Sequence, residues 1–373
     1  MPPVKALVVG AGISGLATCL SLQQQGVDVD LVERRAEVEA LGSGITLIGP
    51  ALRALQMLGV YDSGIAQGFG ISDFQTYDVD GTLASTFRLP SPVGTNQPGM
   101  LGTMRPTLHS ILLQQVKQQG TSIRTGVSPT GIADGESSTT VTFDSGECNE
   151  YDLVVGATAS GRLCASWSSG PCRRSSPGRP LCGWCSHARA RSLPRSSSTL
   201  STTSSSASPR QPQTACTCTA RSRLIRTRPS PTEVLALTRE TTAPFGGLVE
   251  RIRKDIIDPG QNNLAKFETV IVPSPWSHGR IVIVGDAAHC PPPQLAAGAA
   301  MCLQGAVALG QELQRATGPE QALQNFAARR YERCAFVVHT GRQLSHWQTY
   351  PGTGGNDHER VTAEAFELLA QPF

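Results

Sequence analysis

The sequence predicts an α/β fold in which parallel strands alternate with helices, and three observations support that prediction. Val4 to Val9 is a short apolar run that ends at a glycine, and Leu16 to Gln25 follows with apolar residues at helical spacing. Val27 to Val32 predicts a second strand, and Arg280 to Val284, with four β-branched residues in a row, predicts a third. Runs that are apolar throughout are typical of strands buried on both faces, as in parallel sheets. We therefore expect a sheet assembled from distant parts of the chain.

Length and charge limit what this chain does. At 373 residues it is long enough to bury the cores of two domains. The formal charge of +3 is uneven, because residues 159–232 contain 12 Arg and no Lys, Asp or Glu, which leaves −9 for the remainder. The basic balance gives no reason to expect a nucleic-acid partner. No run approaches ~18 apolar residues and the first strand begins at Val4, so we expect no membrane span, no signal peptide and a cytoplasmic location.

A glycine-rich turn joins the first strand to the first helix. It reads Gly10-Ala11-Gly12-Ile13-Ser14-Gly15, and the second strand ends at Glu33. In such a strand–turn–helix–strand unit, Gly10 allows a tight turn, Gly12 lets the backbone approach a pyrophosphate, and Gly15 lets helix and strand pack closely. The helix N-terminus adds unpaired N–H groups, and Glu33 can accept hydrogen bonds from ribose hydroxyls. The pattern predicts a dinucleotide site but does not separate NAD from FAD.

A second motif follows the strand at Arg280 to Val284. It reads Gly285-Asp286-Ala287-Ala288-His289, and three prolines then lead to Gly298 and a helical run. The Asp286 carboxylate can accept hydrogen bonds from a polyol chain, and the N–H groups near Gly298 to Met301 would face a developing negative charge. A simpler interpretation, in which Asp286 only caps a helix, also fits this segment.

Together the two motifs resemble those of the class A FAD-dependent aromatic monooxygenases, the group of para-hydroxybenzoate hydroxylase and salicylate hydroxylase. The family's distant G-D-A-A-H-x-x-x-P-x-x-x-x-G stretch matches residues 285–298 in order. Arg105-Pro106-Thr107-Leu108-His109 resembles its R-P-x-L-H helix start, and Gly42-Ser43-Gly44-Ile45 resembles its G-x-G-I turn. The resemblance covers most of the chain outside its middle.

This resemblance implies a fold, a cofactor and a reaction. The fold is an FAD-binding Rossmann-like domain with a discontinuous, sheet-based substrate domain. NAD(P)H would reduce the flavin, and a flavin hydroperoxide formed with O2 would hydroxylate a small phenolic or N-heteroaromatic substrate. An epoxidase or a reductase on the same scaffold is an alternative. The residues that the resemblance places at FAD are Gly10, Gly12, Ser14, Gly15, Glu33, Arg34, Gly44, Arg105, Val127, Asp286, Pro293, Gly298, Ala299, Ala300 and Met301.

The motifs also predict domain boundaries. We expect a discontinuous FAD-binding domain from residues 1–72, 98–158 and 270–345, remnants of a substrate domain at 73–97 and 233–269, and a tail at 346–373. Ser72 to Arg88 reads as a hairpin with its turn at Asp80-Gly81. Glu320 to Leu344 reads as a helix whose arginines, Arg329, Arg330 and Arg333, form a solvated face. We expect a monomer or a homodimer without a metal, and assign no catalytic acid or base.

Several positions depart from the family pattern. Ala297 stands where the family commonly has glutamine, and Ala300 where it often has asparagine. Gln304-Gly305-Ala306 replaces a common Glu-Asp-Ala, and a glycine inside a helix costs about 1 kcal/mol relative to alanine. These differences bear on activity more than on fold.

The resemblance stops after Gly156-Ala157. The family continues with Asp-Gly, whereas this chain has Thr158-Ala159, and no strand or helix pattern persists until about Thr232. Residues 159–232 also contain 18 Ser and six of the 11 Cys. Serine and arginine richness with few apolar residues predicts disorder.

Three interpretations of this segment compete. The first is a disordered basic insert that binds RNA or a partner. The second is a zinc site, although no apolar scaffold frames its ligands Cys182, Cys185, Cys216, Cys218 and His187. We favour a third, translation out of frame, because the family has about as many residues between these landmarks. If Ala157-Thr158-Ala159 were encoded GCG-ACG-GCC, stepping back one base after Ala157 would give Asp-Gly. The chain as written would then be a defective homologue that purifies poorly, binds FAD weakly if at all and hydroxylates nothing.

Overall fold

The computed structural model describes residues 4–38, 44–158, 191–192, 230–255, 268–350, 353 and 357–373. In chain order the strands are β1 (Lys5–Val9), β2 (Asp28–Glu33), β3 (Gly44–Leu47), β4 (Phe69–Ile71), β5 (Asp73–Tyr77), β6 (Leu83–Arg88), β7 (Met100–Met104), β8 (Ser122–Thr125), β9 (Pro129–Asp134), β10 (Thr139–Phe143), β11 (Cys148–Tyr151), β12 (Leu153–Gly156), β13 (Arg191–Ser192), β14 (Glu268–Ile271), β15 (Ser277–His278), β16 (Ile281–Ile283) and β17 (His289–Cys290). The helices are α1 (Ile13–Gln23), α2 (Gly49–Met57), α3 (Tyr61–Gln67), α4 (Arg105–Gln118), α5 (Pro231–Thr242), α6 (Gly247–Asp255), α7 (Gly298–Arg315), α8 (Pro319–Thr349) and α9 (Asp357–Ala370).

The largest sheet has six strands in the order β15-β16-β12-β1-β2-β8. Five of them are parallel, and β15 pairs antiparallel with β16 at one edge. The strands come from the start, middle and end of the chain, so the sheet is assembled from distant segments. This confirms the predicted α/β fold with a parallel sheet.

Side chains of the central strand β1 alternate between two cores. Ala6 and Val8 belong to the main core on the helical face. Leu7 and Val9 belong to a second core, which includes Phe143 from the antiparallel sheet β11-β10-β9. Burial on both faces explains why the four residues Ala6 to Val9 are all apolar.

Helices α1 and α7 pack closely on the helical face. A Cβ atom at Gly310 of α7 would lie 2.4 Å from the Ser21 hydroxyl of α1, so glycine is what allows this approach. Because the two helices are in direct contact, the turns that lead into them also come together. Gly285, in the connection from β16 to α7, lies against Ser14 of α1.

The remaining described strands form smaller sheets. β3-β7-β4 is one, β13-β14-β17 is another, and β5 pairs only with β6. The hairpin predicted at Ser72 to Arg88 is confirmed, with Gly81 at φ +93° in its turn. Its apolar side chains are exposed, including Phe74 at 39% and Phe87 at 50%.

The arginines of α8 correct one expectation. Arg330 is only 1% exposed, so the predicted solvated face is wrong for this residue. The cause is the return of α9 and the residues after it along α8, where Arg333 donates hydrogen bonds to the carbonyls of Leu369, Gln371 and Pro372. Arginine side chains near a helix C-terminus commonly satisfy its last carbonyls in this way.

Some expectations fall on residues that the structure does not describe. They include Gly42 and Ser43 of the G-x-G-I turn and the cysteines of the zinc hypothesis. Within the described ranges, no helix is long and apolar enough to cross a membrane. No cluster of three or more metal-ligating side chains occurs in the same ranges.

Candidate cofactor-binding site

The glycines of the turn after β1 have different surroundings. Gly10 has φ +109°, and a Cβ atom there would lie 2.9 Å from the Ala157 carbonyl oxygen. A Cβ atom at Gly15 would lie 1.9 Å from the Gly10 carbonyl oxygen, so both glycines are required for packing. A Cβ atom at Gly12, in contrast, would have no protein atom within 4 Å. Gly12 therefore borders open space at the N-terminus of α1, where phosphate groups are commonly bound.

The peptide at Ala11 is held from both sides. Its N–H donates to Glu33 Oε2 at 2.9 Å, and its carbonyl oxygen lies 2.7 Å from His109 Nε2. A protonated Nε2 is required for that hydrogen bond, which fixes the tautomer. His109 is buried at 4% exposure. From sequence it reads only as a surface or packing residue, although its place in the R-P-x-L-H motif was the signal for a role at the turn.

Glu33, Arg34 and Val127 gather at the carboxyl end of β2. The Val127 N–H donates to the Glu33 carbonyl at 3.1 Å, and Glu33 Oε1 accepts a hydrogen bond from the Arg35 N–H at 3.0 Å. Arg34 is exposed beside them. Three of the residues that the resemblance places at FAD are thus neighbours in space.

The second motif touches the first. Gly285 has φ +60°, and a Cβ atom there would lie 2.3 Å from Ser14 Oγ. Ser14 Oγ is buried without a hydrogen-bond partner among the described residues. Next to Gly285, the Asp286 side chain reaches solvent, yet desolvation by the protein atoms around its carboxyl raises the pKa of Asp286. The nearby charge of Arg105 opposes this shift. The two motifs and Arg105 therefore surround one region.

Arg105 and Gly44 approach this region from a third direction. Gly44 of β3 pairs with Met104 of β7, the residue immediately before Arg105. Arg105 is the first residue of α4 and is exposed. Its guanidinium is therefore available to an anionic group beside Asp286.

The N-terminus of α7 completes the region. Pro293 is exposed and lies in a 3₁₀ turn that ends at Ala296, with φ +48°. No side chain caps the helix at Ala297. The first-turn N–H groups of a helix lack intrahelical acceptors, so they can stabilise negative charge. That turn comprises Gly298 and Ala299, which are partly exposed, and Ala300 and Met301, which are buried.

His289 does not provide a charged acid at this site. Burial, followed by the charge of Arg330, lowers the pKa of His289 to about 3, so the ring is neutral near pH 7. The ring packs on Trp276 at 5.4 Å between centroids. This arrangement favours a structural role.

The segment after Gly156-Ala157, where the resemblance to the family stops, contributes backbone to the site but lacks the family's aspartate. The Ala157 carbonyl packs against Gly10. Thr158 stands where the family has aspartate, and its hydroxyl oxygen is buried without a partner among the described residues. A threonine hydroxyl can donate a hydrogen bond but cannot supply a carboxylate charge.

These residues fit an extended dinucleotide. Open space at Gly12, a carboxylate at each end in Glu33 and Asp286, and the unpartnered hydroxyl of Ser14 match the phosphate, ribose and polyol groups of FAD. The N-terminus of α7, after Ala297, is suited to the flavin ring of FAD, which gains negative charge on reduction.

Comparisons with known proteins agree with this geometry. The FAD binding domain family matches residues 3–157 and 251–340. The chain is 27% identical over 375 residues to the protein YetM of Bacillus subtilis, covering 98% of this chain and 99% of that one. It is 29% identical over 313 residues to 2-heptyl-3-hydroxy-4(1H)-quinolone synthase of Pseudomonas aeruginosa, covering 82% and 79%.

A solved structure, Klebsiella pneumoniae HpxO complexed with FAD and uric acid, is similar with a TM-score of 0.76. It is 18% identical, and the match covers 99% of this chain and 97% of that one, which supports the fold. The family match spans well over half of the chain. The chain therefore belongs to the FAD binding domain family, the flavoprotein monooxygenases that its motifs resemble, and is by family an oxidoreductase with FAD as its cofactor.

Proposed function

We propose that this protein hydroxylates a small aromatic ring, phenolic or N-heteroaromatic, with NAD(P)H as reductant and O2 as oxygen source. The observation that carries the proposal is the meeting of Gly12, Arg105, Asp286 and the α7 N-terminus around one region. The names of two similar proteins, a quinolone synthase and an enzyme crystallised with uric acid, support an N-heteroaromatic ring.

In this proposal the chain's own residues bind and orient the cofactor. The N–H groups at the start of α1 bind the pyrophosphate beside Gly12, and Glu33 and Asp286 accept hydrogen bonds from the hydroxyls at either end. The α7 N-terminus stabilises negative charge on the reduced ring. Bound FAD supplies the oxygen-activating chemistry, and the protein supplies position and a dry environment.

The proposal is tested with the purified full chain. Bound flavin is measured by absorbance, and oxidation of NADH and of NADPH is followed with a panel of hydroxypyridines, quinolones and phenols. We expect a product that has gained one oxygen atom, coupled to NAD(P)H oxidation. Oxidation of NAD(P)H with every ring unchanged would instead indicate a reductase, and an epoxide product would indicate an epoxidase.

A second candidate is a homologue that no longer holds flavin or turns over substrate. The family match ends at residue 157, immediately before Thr158, and resumes only at 251. The matched HpxO structure covers nearly all of both chains, which supports replacement of family sequence in the middle over an insertion. A purified chain that is colourless and gains no flavin absorbance when FAD is added would favour this candidate.

A further inference from the structure

Helices α7 and α8 enclose polar atoms that find no partner among the described residues. Gln304 of α7 is 0% exposed, and both its Nε2 and its Oε1 lack a hydrogen bond. Arg330 of α8 is 1% exposed, and its Nε also lacks one. Buried polar groups are paired in most proteins, and leaving one unpaired is costly. Two such residues on adjoining helices point to a ligand.

The charge of Arg330 lacks a carboxylate partner in the part of the chain that the structure describes. Its Nη2 donates to the Met301 carbonyl at 3.5 Å and lies 3.7 Å from Cys334 Sγ. Its guanidinium lies 5.8 Å from the centre of the Phe373 ring. The nearest acid on α7, Glu312, is already paired with Arg329 at 2.8 Å. A buried charge normally requires an opposite charge nearby.

Space for a counter-charge exists at Gly305. This residue is buried in α7, yet a Cβ atom there would meet no atom of the described residues within 4 Å apart from the adjoining backbone of its own helix. Cα–Cβ bonds tilt toward the N-terminus of a helix, so this space lies over the preceding turn. Met301 is on that turn, and its carbonyl is the one that Arg330 contacts. In an α-helix the same carbonyl accepts the N–H four residues later, which is that of Gly305.

We propose that the space between Gly305, Gln304 and Arg330 is a binding site for a small monovalent anion such as chloride. Arg330 supplies the positive charge, and Gln304 Nε2 supplies a neutral donor. Burial, and then the charge of Arg330, lowers the pKa of the neighbouring His289, so that ring supplies no charge to the site near pH 7. Of the residues proposed at FAD, only Met301 also borders this site, through its carbonyl, so the test is carried out without flavin.

The test compares thermal midpoints of the full chain in chloride and in gluconate at equal ionic strength. Gluconate is too large for a space bordered by one glycine. We expect the midpoint to be higher in chloride by roughly 2–4 °C, since a ligand that binds only the folded state stabilises it. A neutral control, Gly305→Asn, fills the same space, and Gly305→Asp adds the missing charge. Both should lose the chloride dependence, and in gluconate Gly305→Asp should melt above Gly305→Asn.

Two outcomes overturn the proposal. One is an equal midpoint of the parent chain in chloride and gluconate. The other is a Gly305→Asp variant that is no more stable than Gly305→Asn. If either variant fails to fold, the proposal is tested instead by the width of the chloride NMR line in a solution of the parent chain. Broadening that bromide reverses supports the site, and a line width unaffected by the protein refutes it.

Discussion

Single residues of the first turn divide into those that the fold requires and those that a ligand requires. Gly15 leaves no room for a side chain, because a Cβ atom would overlap the Gly10 carbonyl. Gly12 has extended backbone, with φ −77° and ψ 179°, and open space around its Cβ position. Both glycines belong to one sequence motif, and the space around them differs in the direction that the motif predicts.

This difference leads to a paired prediction. Gly12→Ala should leave the thermal midpoint of the FAD-free chain near that of the parent but weaken FAD binding by at least about tenfold, because a methyl group takes space needed by the pyrophosphate. Gly15→Ala should lower the midpoint itself, because backbone atoms must move. Thermal melts and FAD titration measure the two effects. Equal behaviour of the two variants would contradict the assignment.

Asp286 should lower the stability of the FAD-free chain at neutral pH although it contributes to FAD binding. Desolvation by the surrounding protein atoms raises its folded pKa above the unfolded value, so its stabilising contribution is complete below the unfolded pKa of about 3.9 and is lost as pH rises through the folded pKa. Asp286→Asn should therefore make the FAD-free chain more stable at pH 7, with no difference from the parent at pH values below both pKa values. The same change should weaken FAD binding by roughly 10- to 100-fold, through loss of a charged hydrogen bond.

Urea unfolding at several pH values and FAD titration measure these effects. Asp28→Asn is a matched control, because Asp28 lies at the start of β2, outside the second motif. A stability gain at pH 7 in the control as large as in Asp286→Asn would contradict the account, as would unchanged FAD affinity in Asp286→Asn.

At the scale of elements, the sequence predicted those strands and turns that depend only on neighbouring residues. The apolar run of β1 and the turn at Gly81 are read from neighbouring residues, and the structure bears both out. The burial of Arg330 could not be read in this way, because it depends on where α9 returns along α8. The position of His109 against Ala11 depends likewise on the packing of α4 against the first turn.

The hairpin of β5 and β6 exposes an apolar surface that should promote self-association of the chain. Phe74 and Phe87 pack on each other at 5.0 Å between ring centroids, and neither strand has another partner strand among the described residues. Exposed apolar strand edges promote self-association. The double change Phe74→Thr and Phe87→Thr should reduce light scattering of the purified chain and leave its thermal midpoint within about 1 °C, as expected for surface changes.

Met57→Thr is a suitable control for the hairpin variant, because Met57 is similarly exposed at 41% but lies on α2. It should leave the scattering unchanged. If self-association persists in the hairpin variant, or falls equally in the control, another surface is responsible for it.

At the scale of the whole molecule, the sequence predicted the FAD-binding half and not the middle. Motifs and strand patterns specify the parallel sheet, whereas residues 159–232 carry no pattern from which structure could be inferred. The family match stops at residue 157, which supports our out-of-frame hypothesis. The out-of-frame hypothesis predicts that the gene, read one base earlier after the codon of Ala157, encodes Asp-Gly and continues without a stop codon toward Glu233. Sequencing the gene tests this, and an early stop codon in that frame would contradict it.

The central claim is that two distant motifs, one around Gly12 and one around Asp286, hold a single FAD molecule. Calorimetric titration of the full chain with FAD, repeated with Gly12→Ala and with Asp286→Asn, measures this directly. The account predicts one FAD per chain and a loss of affinity in both variants. FAD binding that either variant leaves unchanged would show that the two motifs do not share one cofactor.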